Sequence, residues 1–327
     1  MRIVIPDDFP PVYQGHPQLA RLAELGEVQV YGSKAASRQE LIERLTGVEV
    51  LINVRSYTVF DEATLAELPD LRLLSILGTG TDNVDLEAAT RLGILVTNTP
   101  GASTASVAEL TLALMLCAAR HVALADRKVR EGVWHHQHGI ELRGKTLGLV
   151  GLGLIGQEVA RLGKALGMSV LAWSFRRDEQ RAAALGVEQS DLDDLLRRSD
   201  VVSLHLRASP QSAGLIGKRE LSLMKATAIL INTARASIVD QEALIHALRD
   251  KRLAAAGLDV FTSEPLAADS PLLRLDNVVL SPHVGWVTHE ATERLAQMPV
   301  DNIVAYLEGR PQHAVNPAAL DHPRQRR

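Results

Sequence analysis

The sequence predicts an α/β protein with two doubly wound parallel-sheet lobes, and three observations carry that prediction. Short apolar runs alternate with amphipathic runs of helical period from the first residues to about residue 97. A break rich in Pro and Gly, NTPGA at 98–102, interrupts the pattern, and a second alternating series runs from residue 147 to residue 280. Strands that are apolar along their whole length and followed by helices need cover on both faces, which is the arrangement of a parallel sheet. With 327 residues, 46% of them hydrophobic, the chain is long enough for two such cores.

In the first lobe, strands are predicted at 2–5, 28–31, 48–54, 71–77 and 94–97, and helices at 18–25, 38–45, 62–68 and 86–92. Ser37 and Glu40 stand at capping-box spacing before the second helix, and Asp61 precedes the third. After the break, one continuous helix is expected from 107 to about 133, longer than an ordinary crossover and suited to bridging two lobes. The second series has strands at 147–150, 169–173, 201–204, 229–232, 255–258 and 278–280. A last helical run, 290–307, has the option of packing back on the first lobe, and the basic end at 322–327 reads as a solvated terminus.

The second series opens on TLGLVGLGLIG, residues 146–156, a strand followed by a GxGxxG turn and a helix predicted at 157–166. Gly151 permits the tight turn, Gly153 lets a pyrophosphate approach the backbone, and Gly156 lets helix and strand pack closely. The helix ends at Gly167 and the strand at 169–173 completes a βαβ unit of the expected length. Polar residues then follow three later strands: Arg235 in INTARASIVD, Asp259 and Glu264 in GLDVFTSEP, and His283 in SPHVGW. Ligands of such sheets bind beyond the carboxyl ends of the strands. A guanidinium binds a carboxylate through two parallel hydrogen bonds, and a histidine paired with a carboxylate can hold and release a proton near neutral pH. Taken singly, each residue also fits an ion pair or a loop hydrogen bond; their succession after a dinucleotide motif is what points to a site.

A formal net charge of −4 with 3% aromatic residues offers neither a phosphate-tracking surface nor a base-stacking platform, so nucleic acid is not an expected partner. The longest apolar run, 110–119, is short for a membrane span, and the start MRIVIPDD lacks the build of a leader, so a cytoplasmic protein is expected. Cys117, the sole cysteine, reads as a core filler. His135, His136 and His138 form a cluster, but adjacent histidines do not share a helix face and no cysteine or carboxylate completes a tetrahedral set nearby, so no metal is expected.

The order GLGLIG, INTARAS, LDVFTSEP, SPHVG resembles the D-isomer-specific 2-hydroxyacid dehydrogenase family. Further matches are VRSYT at 54–58, GTGTDNVD at 78–85, NTPGASTASVAE at 98–109 and REGVW at 130–134, and the similarity runs from residue 48 to residue 317. The resemblance implies a flavodoxin-like substrate lobe from 1–98 plus 286–327, a Rossmann-like dinucleotide-binding lobe from 99–285, a cleft between them and a homodimer built on the cofactor lobes. It implies hydride transfer between a nicotinamide dinucleotide and a small 2-oxo or 2-hydroxy acid, of the glyoxylate/hydroxypyruvate reductase or phosphoglycerate dehydrogenase kind. By the same resemblance, Arg235 binds the substrate carboxylate, His283 is the acid/base, and Glu264 orients its ring. Gly151, Gly153, Leu154, Ile155 and Gly156 lie on the pyrophosphate. Thr104, Arg207 and Thr233 are further cofactor contacts, and Asp259 lies near the nicotinamide carboxamide. The amides of Gly78, Thr79 and Gly80 hold the carboxylate, and Arg55, Ser56, Tyr57 and Trp286 line the variable side of the pocket.

Two departures stand out: Ala236 where the family often has Gly, and Arg207 where it has a proline. Formate dehydrogenases pair their histidine with Gln, and phosphite dehydrogenases carry a lysine where this chain has GTG, so both fit less well. A dinucleotide-sensing, corepressor-like binding protein is the alternative from another class. NAD-specific folds place an acidic residue about 20 residues beyond the glycines. Here the place is held by the neutral Ser174, followed by Arg176 and Arg177, which favours NADP over NAD unless both arginines pair with Asp178 and Glu179.

Overall fold

The computed structural model describes residues 1–9, 11–54 and 58–322. The chain divides into two compact units, Met1–Ser103 with Thr288–Arg327, and Thr104–Val287.

In the first unit, strands β1 (Arg2–Ile5), β2 (Glu27–Val30), β3 (Val50–Asn53), β4 (Leu73–Ile76) and β5 (Leu95–Thr97) are all parallel, in the order β2-β1-β3-β4-β5. The winding reverses between β1 and β3, which is the flavodoxin-like order. Strands β3 and β4 are buried at every residue, whereas the edge strand β2 is not. Helices α1 (Gln18–Leu25), α2 (Arg38–Arg44), α3 (Glu62–Ala66) and α4 (Leu86–Arg91) form the crossovers. Polar residues cap three of them: Ser37 Oγ accepts from the Glu40 amide at 3.1 Å, Asp61 from Thr64 at 2.8 Å and Asp85 from Ala88 at 2.9 Å. The Glu40 carboxylate turns back to the Ala36 amide at 2.7 Å, one residue before the cap. The last helix, His289–Leu307, belongs to this unit, where the Tyr13 hydroxyl donates to the Ala296 carbonyl at 2.9 Å and Arg21 pairs with Asp301 at 3.0 Å.

The second unit opens on α5 (Thr104–Arg120) and α6 (Val122–Arg130), which meet at 65°. One continuous helix was the expectation for this stretch. His121 takes a left-handed backbone, φ 52°, and ends the first helix. The physical reason lies in burial, since α5 buries eight residues from Ser106 to Ala119 while α6 buries none. Then follow β6 (Thr146–Val150), α7 (Leu154–Ala165), β7 (Ser169–Trp173), α8 (Glu179–Leu185), β8 (Glu188–Gln189), α9 (Leu192–Arg198) and β9 (Val201–Leu204). The series ends with α10 (Lys218–Leu223), β10 (Ile229–Asn232), α11 (Gln241–Arg249), β11 (Ala255–Leu258) and β12 (Val278–Leu280). Helix α7 begins at Leu154, earlier than its apolar periodicity suggests, because extended Gly153 takes the cap position. The short edge strand β8 was not anticipated; two residues carry no periodicity.

All seven strands are parallel, in the order β12-β11-β10-β9-β6-β7-β8, so the winding reverses between β6 and β9. Apolar residues line both faces. Leu147 and Leu149 join residues of α5 and α7 in one core cluster, and Val150, Val202 and Leu204 join residues of α9, α10 and α11 in the other. Among the described residues, no single helix is long and apolar enough to cross a membrane.

Candidate active site

The glycine turn follows β6, at the point where the winding of the second sheet reverses. Gly151 has φ 109°, and a Cβ there would lie 2.6 Å from the His205 carbonyl oxygen. A Cβ on Gly156 would lie 2.2 Å from the Gly151 carbonyl oxygen, whereas one on Gly153 would meet nothing within 4 Å. Two glycines are therefore required by the protein's own packing, and the third borders open space. No side chain caps α7 at Gly153, so the first amides of that helix are available to an anion. The Ser174 hydroxyl accepts from the Leu152 amide at 3.0 Å and ties the end of β7 to the turn. A dinucleotide pyrophosphate fits this cradle: an uncapped helix start beside a glycine with room above it.

His205, just past β9, sits against the same turn. Its Nε2 pairs with Ser203 Oγ at 2.9 Å, and Nδ1 is buried without a partner. Although the residue as a whole retains some surface, burial of the ring pushes its pKa down to about 3.

Three further strand ends bring polar side chains together. His283 Nδ1 lies 2.7 Å from Glu264 Oε2, and Glu264 Oε1 accepts from the Phe261 amide at 2.9 Å. Burial pushes the Glu264 carboxyl up, but the bonds from His283 and Phe261 and the charges of His283 and Arg235 outweigh it, leaving the pKa below the ordinary value. Because Nδ1 is turned to the carboxylate, Nε2 is the ring nitrogen not engaged by Glu264. His283 has φ 54°, in the left-handed region that few non-glycine residues occupy. The loop that holds it is fastened by Asp259, which is 1% exposed and accepts from Ser281 Oγ at 2.7 Å, the Val284 amide at 2.9 Å and the Gly285 amide at 2.9 Å. Both Asp259 oxygens are thus occupied by the 281–285 loop, a role the sequence did not suggest. Arg235, half-buried past β10, donates from Nη1 to the Ala234 carbonyl at 2.9 Å, while Asn232 bonds the backbone on either side of it.

Other expected site residues fall as follows. Thr233 is buried and its hydroxyl lies 2.8 Å from that of Thr111, which also bonds the Val107 carbonyl at 2.8 Å. Thr104 is the first residue of α5, Trp286 is half-buried, and Leu154 and Arg207 are exposed. Ile155 is half-buried in the first turn of α7. Arg176 is exposed, and Arg177 pairs with Asp191, not with Asp178 or Glu179; Asp178 caps α8 and pairs with Arg181. In the first unit, the Gly78 amide donates to Thr99 Oγ1 at 2.7 Å. The Thr79 and Gly80 amides donate to no other described residue. Arg55, Ser56 and Tyr57 lie outside the described residues. His135, His136 and His138 line a surface recess with Arg120, His121 and Lys128, and among the described residues no group of three or more His, Cys, Asp or Glu is placed to hold a metal.

Residues 112–285 match the family described as D-isomer specific 2-hydroxyacid dehydrogenase, NAD binding domain. A glyoxylate reductase of Aeropyrum pernix is 48% identical over 262 residues, covering 77% of this chain and 78% of that one. A D-3-phosphoglycerate dehydrogenase of Archaeoglobus fulgidus is 43% identical over 288 residues, 87% of this chain but 54% of that protein. Among solved structures, an acyclic imino acid reductase in complex with NADPH and D-Arg superposes with a TM-score of 0.88 at 31% identity, covering 96% of this chain and 100% of that one. The chain belongs to the D-isomer-specific 2-hydroxyacid dehydrogenase family. It is an oxidoreductase that acts on CH–OH groups with a nicotinamide dinucleotide.

Proposed function

We propose that the chain reduces a small 2-oxo acid, glyoxylate first among candidates, to the corresponding 2-hydroxy acid with NADPH. The observation that carries this reading is the 2.7 Å pair of His283 and Glu264, with the charge of Arg235 reaching the same carboxylate. When bound, the nicotinamide supplies the hydride that reduces the carbonyl carbon. His283 gives the proton from Nε2 to the carbonyl oxygen, Glu264 stabilises the charged ring before transfer, and Arg235 binds the carboxylate and polarises the carbonyl. Relatives named glyoxylate reductase, similar over most of both chains, support the substrate class.

The preference for NADPH rests on the end of β7, where Ser174 is neutral and its hydroxyl is committed to Leu152. Exposed Arg176 follows two residues later in the chain, and the surface pair of Arg177 with Asp191 is of the kind worth at most about 1 kcal/mol, so it is easily exchanged for a phosphate. The test is kcat/KM with NADPH and NADH on glyoxylate, hydroxypyruvate, pyruvate, phenylpyruvate and phosphohydroxypyruvate, in wild type and in the Arg176→Ala/Arg177→Ala double variant. NADPH preference in wild type that fades in the variant is expected; a wild-type preference for NADH would refute the cofactor assignment, and no turnover on any acid would refute the activity. In the same reading the chain pairs with a second copy through the cofactor unit, where Val122, Val129, Val133 and Trp134 are exposed, Trp134 at 81%. A sedimentation mass of one chain would contradict that.

A further inference from the structure

We infer that Thr99, Asn98, Asn302 and His313 are positioning residues that hold the 78–80 loop with the Thr79 and Gly80 amides ready for the carboxylate of the 2-oxo acid. The inference rests on the reading above, that the substrate carries a carboxylate, and it adds residues which that reading does not name. Thr79 and Gly80 are half-buried, and their amides donate to no other described residue. Two neighbouring amides that donate to no other described residue can each donate to one oxygen of a carboxylate. Gly78 is different. Its amide donates to Thr99 Oγ1 at 2.7 Å and its carbonyl accepts from the Thr99 amide at 2.9 Å, so it serves as the fixed root of the loop.

A chain of hydrogen bonds supports that root from behind. Asn98 Nδ2 donates to the Thr79 carbonyl at 3.1 Å. Asn302, fully buried on the C-terminal helix, donates from Nδ2 to the Asn98 carbonyl at 3.0 Å. Its Oδ1 lies 2.9 Å from His313 Nδ1, and since an amide oxygen only accepts, Nδ1 must carry the proton. The Asn98 amide closes the circuit by donating to the His313 carbonyl at 3.2 Å. His313 itself is exposed and holds φ 55°. A buried asparagine with both its amide and its carbonyl oxygen used links a surface histidine to a loop whose Thr79 and Gly80 amides donate to no other described residue, and each link in that path is a buried or half-buried bond that costs stability to lose.

The test uses oxamate, an unreactive carboxylate analogue of a 2-oxo acid, titrated calorimetrically into the full chain saturated with NADPH. Thr99→Val keeps the shape and removes the acceptor of the Gly78 amide, and oxamate Kd is expected to rise about tenfold. Thr99→Ser restores the acceptor and returns Kd to the wild-type value. His313→Gly keeps the left-handed backbone and removes the donor, and a rise of about threefold is expected; His313→Asn keeps both donor and backbone and is expected to match wild type. The NADPH Kd, measured separately, stays unchanged throughout, which a general loosening of the fold would not allow. Oxamate binding that ignores Thr99→Val and His313→Gly, or NADPH affinity that falls in step with it, overturns the inference while leaving the proposed activity standing. Turnover without any oxamate binding overturns it as well, and absence of both turnover and binding removes the two together.

Discussion

Two histidines stand just past parallel strands of the second unit, and their surroundings differ in every respect that matters for chemistry. His283, past β12, has a carboxylate at 2.7 Å and a side chain 37% exposed. His205, past β9, has a serine at 2.9 Å on one nitrogen and nothing on the other, and burial holds it neutral, with a pKa pushed down to about 3. A place at the carboxyl end of a strand is common to both. The two differ in the partner, a carboxylate for one ring and a serine for the other, and in access to solvent; on the proposed reading that difference makes His283 the acid/base. The His205 backbone, not its ring, closes on the glycine turn, its carbonyl oxygen 2.6 Å from where a Cβ on Gly151 would lie.

That contrast can be broken most directly by kinetics. His283→Ala is expected to lower kcat on the best acid of the panel by about a hundredfold or more, with cofactor Kd unchanged, because general acid catalysis is lost and the glycine turn is untouched. Near-normal turnover would remove His283 from its role. Glu264→Gln is expected to cost roughly tenfold or more, since a neutral amide orients the ring without stabilising its charge. In wild type the depressed Glu264 pKa keeps this carboxylate ionised even below the ordinary carboxylate range, and the support is lost only as pH falls through the lowered folded value. An unchanged acidic limb of the pH–rate profile in Glu264→Gln would argue against the pairing.

The smallest expected effect sharpens the other side. His205 is neutral in the folded chain down to about pH 3, whereas an unfolded histidine protonates near 6.5, so its contribution to stability is complete above about 6.5 and declines as pH falls toward the folded value. The slope from this one group is about 1.4 kcal/mol per pH unit at most. Urea unfolding at pH 7, 6 and 5 should show that slope in wild type and a shallower one in His205→Asn. Equal slopes would mean that His205 gains a proton without unfolding.

Much of the second unit was legible because its signals are local. A GxGxxG turn, an apolar strand before it and a helix after it are fixed by backbone sterics over a dozen residues, and the structure places β6, α7 and β7 accordingly. Capping residues such as Asp61 likewise act within one turn of their helix. Arg235, Glu264 and His283 were singled out by their place past strand ends together with the family motifs around them.

Sequence by itself determined the α/β class, the alternation of strands and helices and the run of polar residues after the strands, because each follows from side-chain periodicity and local backbone preference. Only the tertiary structure decided where α5 stops, since the apolar pattern continues past the point where there is a core to bury against. The family resemblance implies the return of the C-terminal helix to the first unit and periodicity leaves it open, but only the folded chain shows that it brings Asn302 to Asn98 across 204 positions. Folding also gave Asp259 three partners in the 281–285 loop and left His205 with an orphan nitrogen. The physical reason is the same in each case: burial and hydrogen-bond pairing are properties of what surrounds a residue in space, and those neighbours are set by how strands and loops far apart in the chain are brought together.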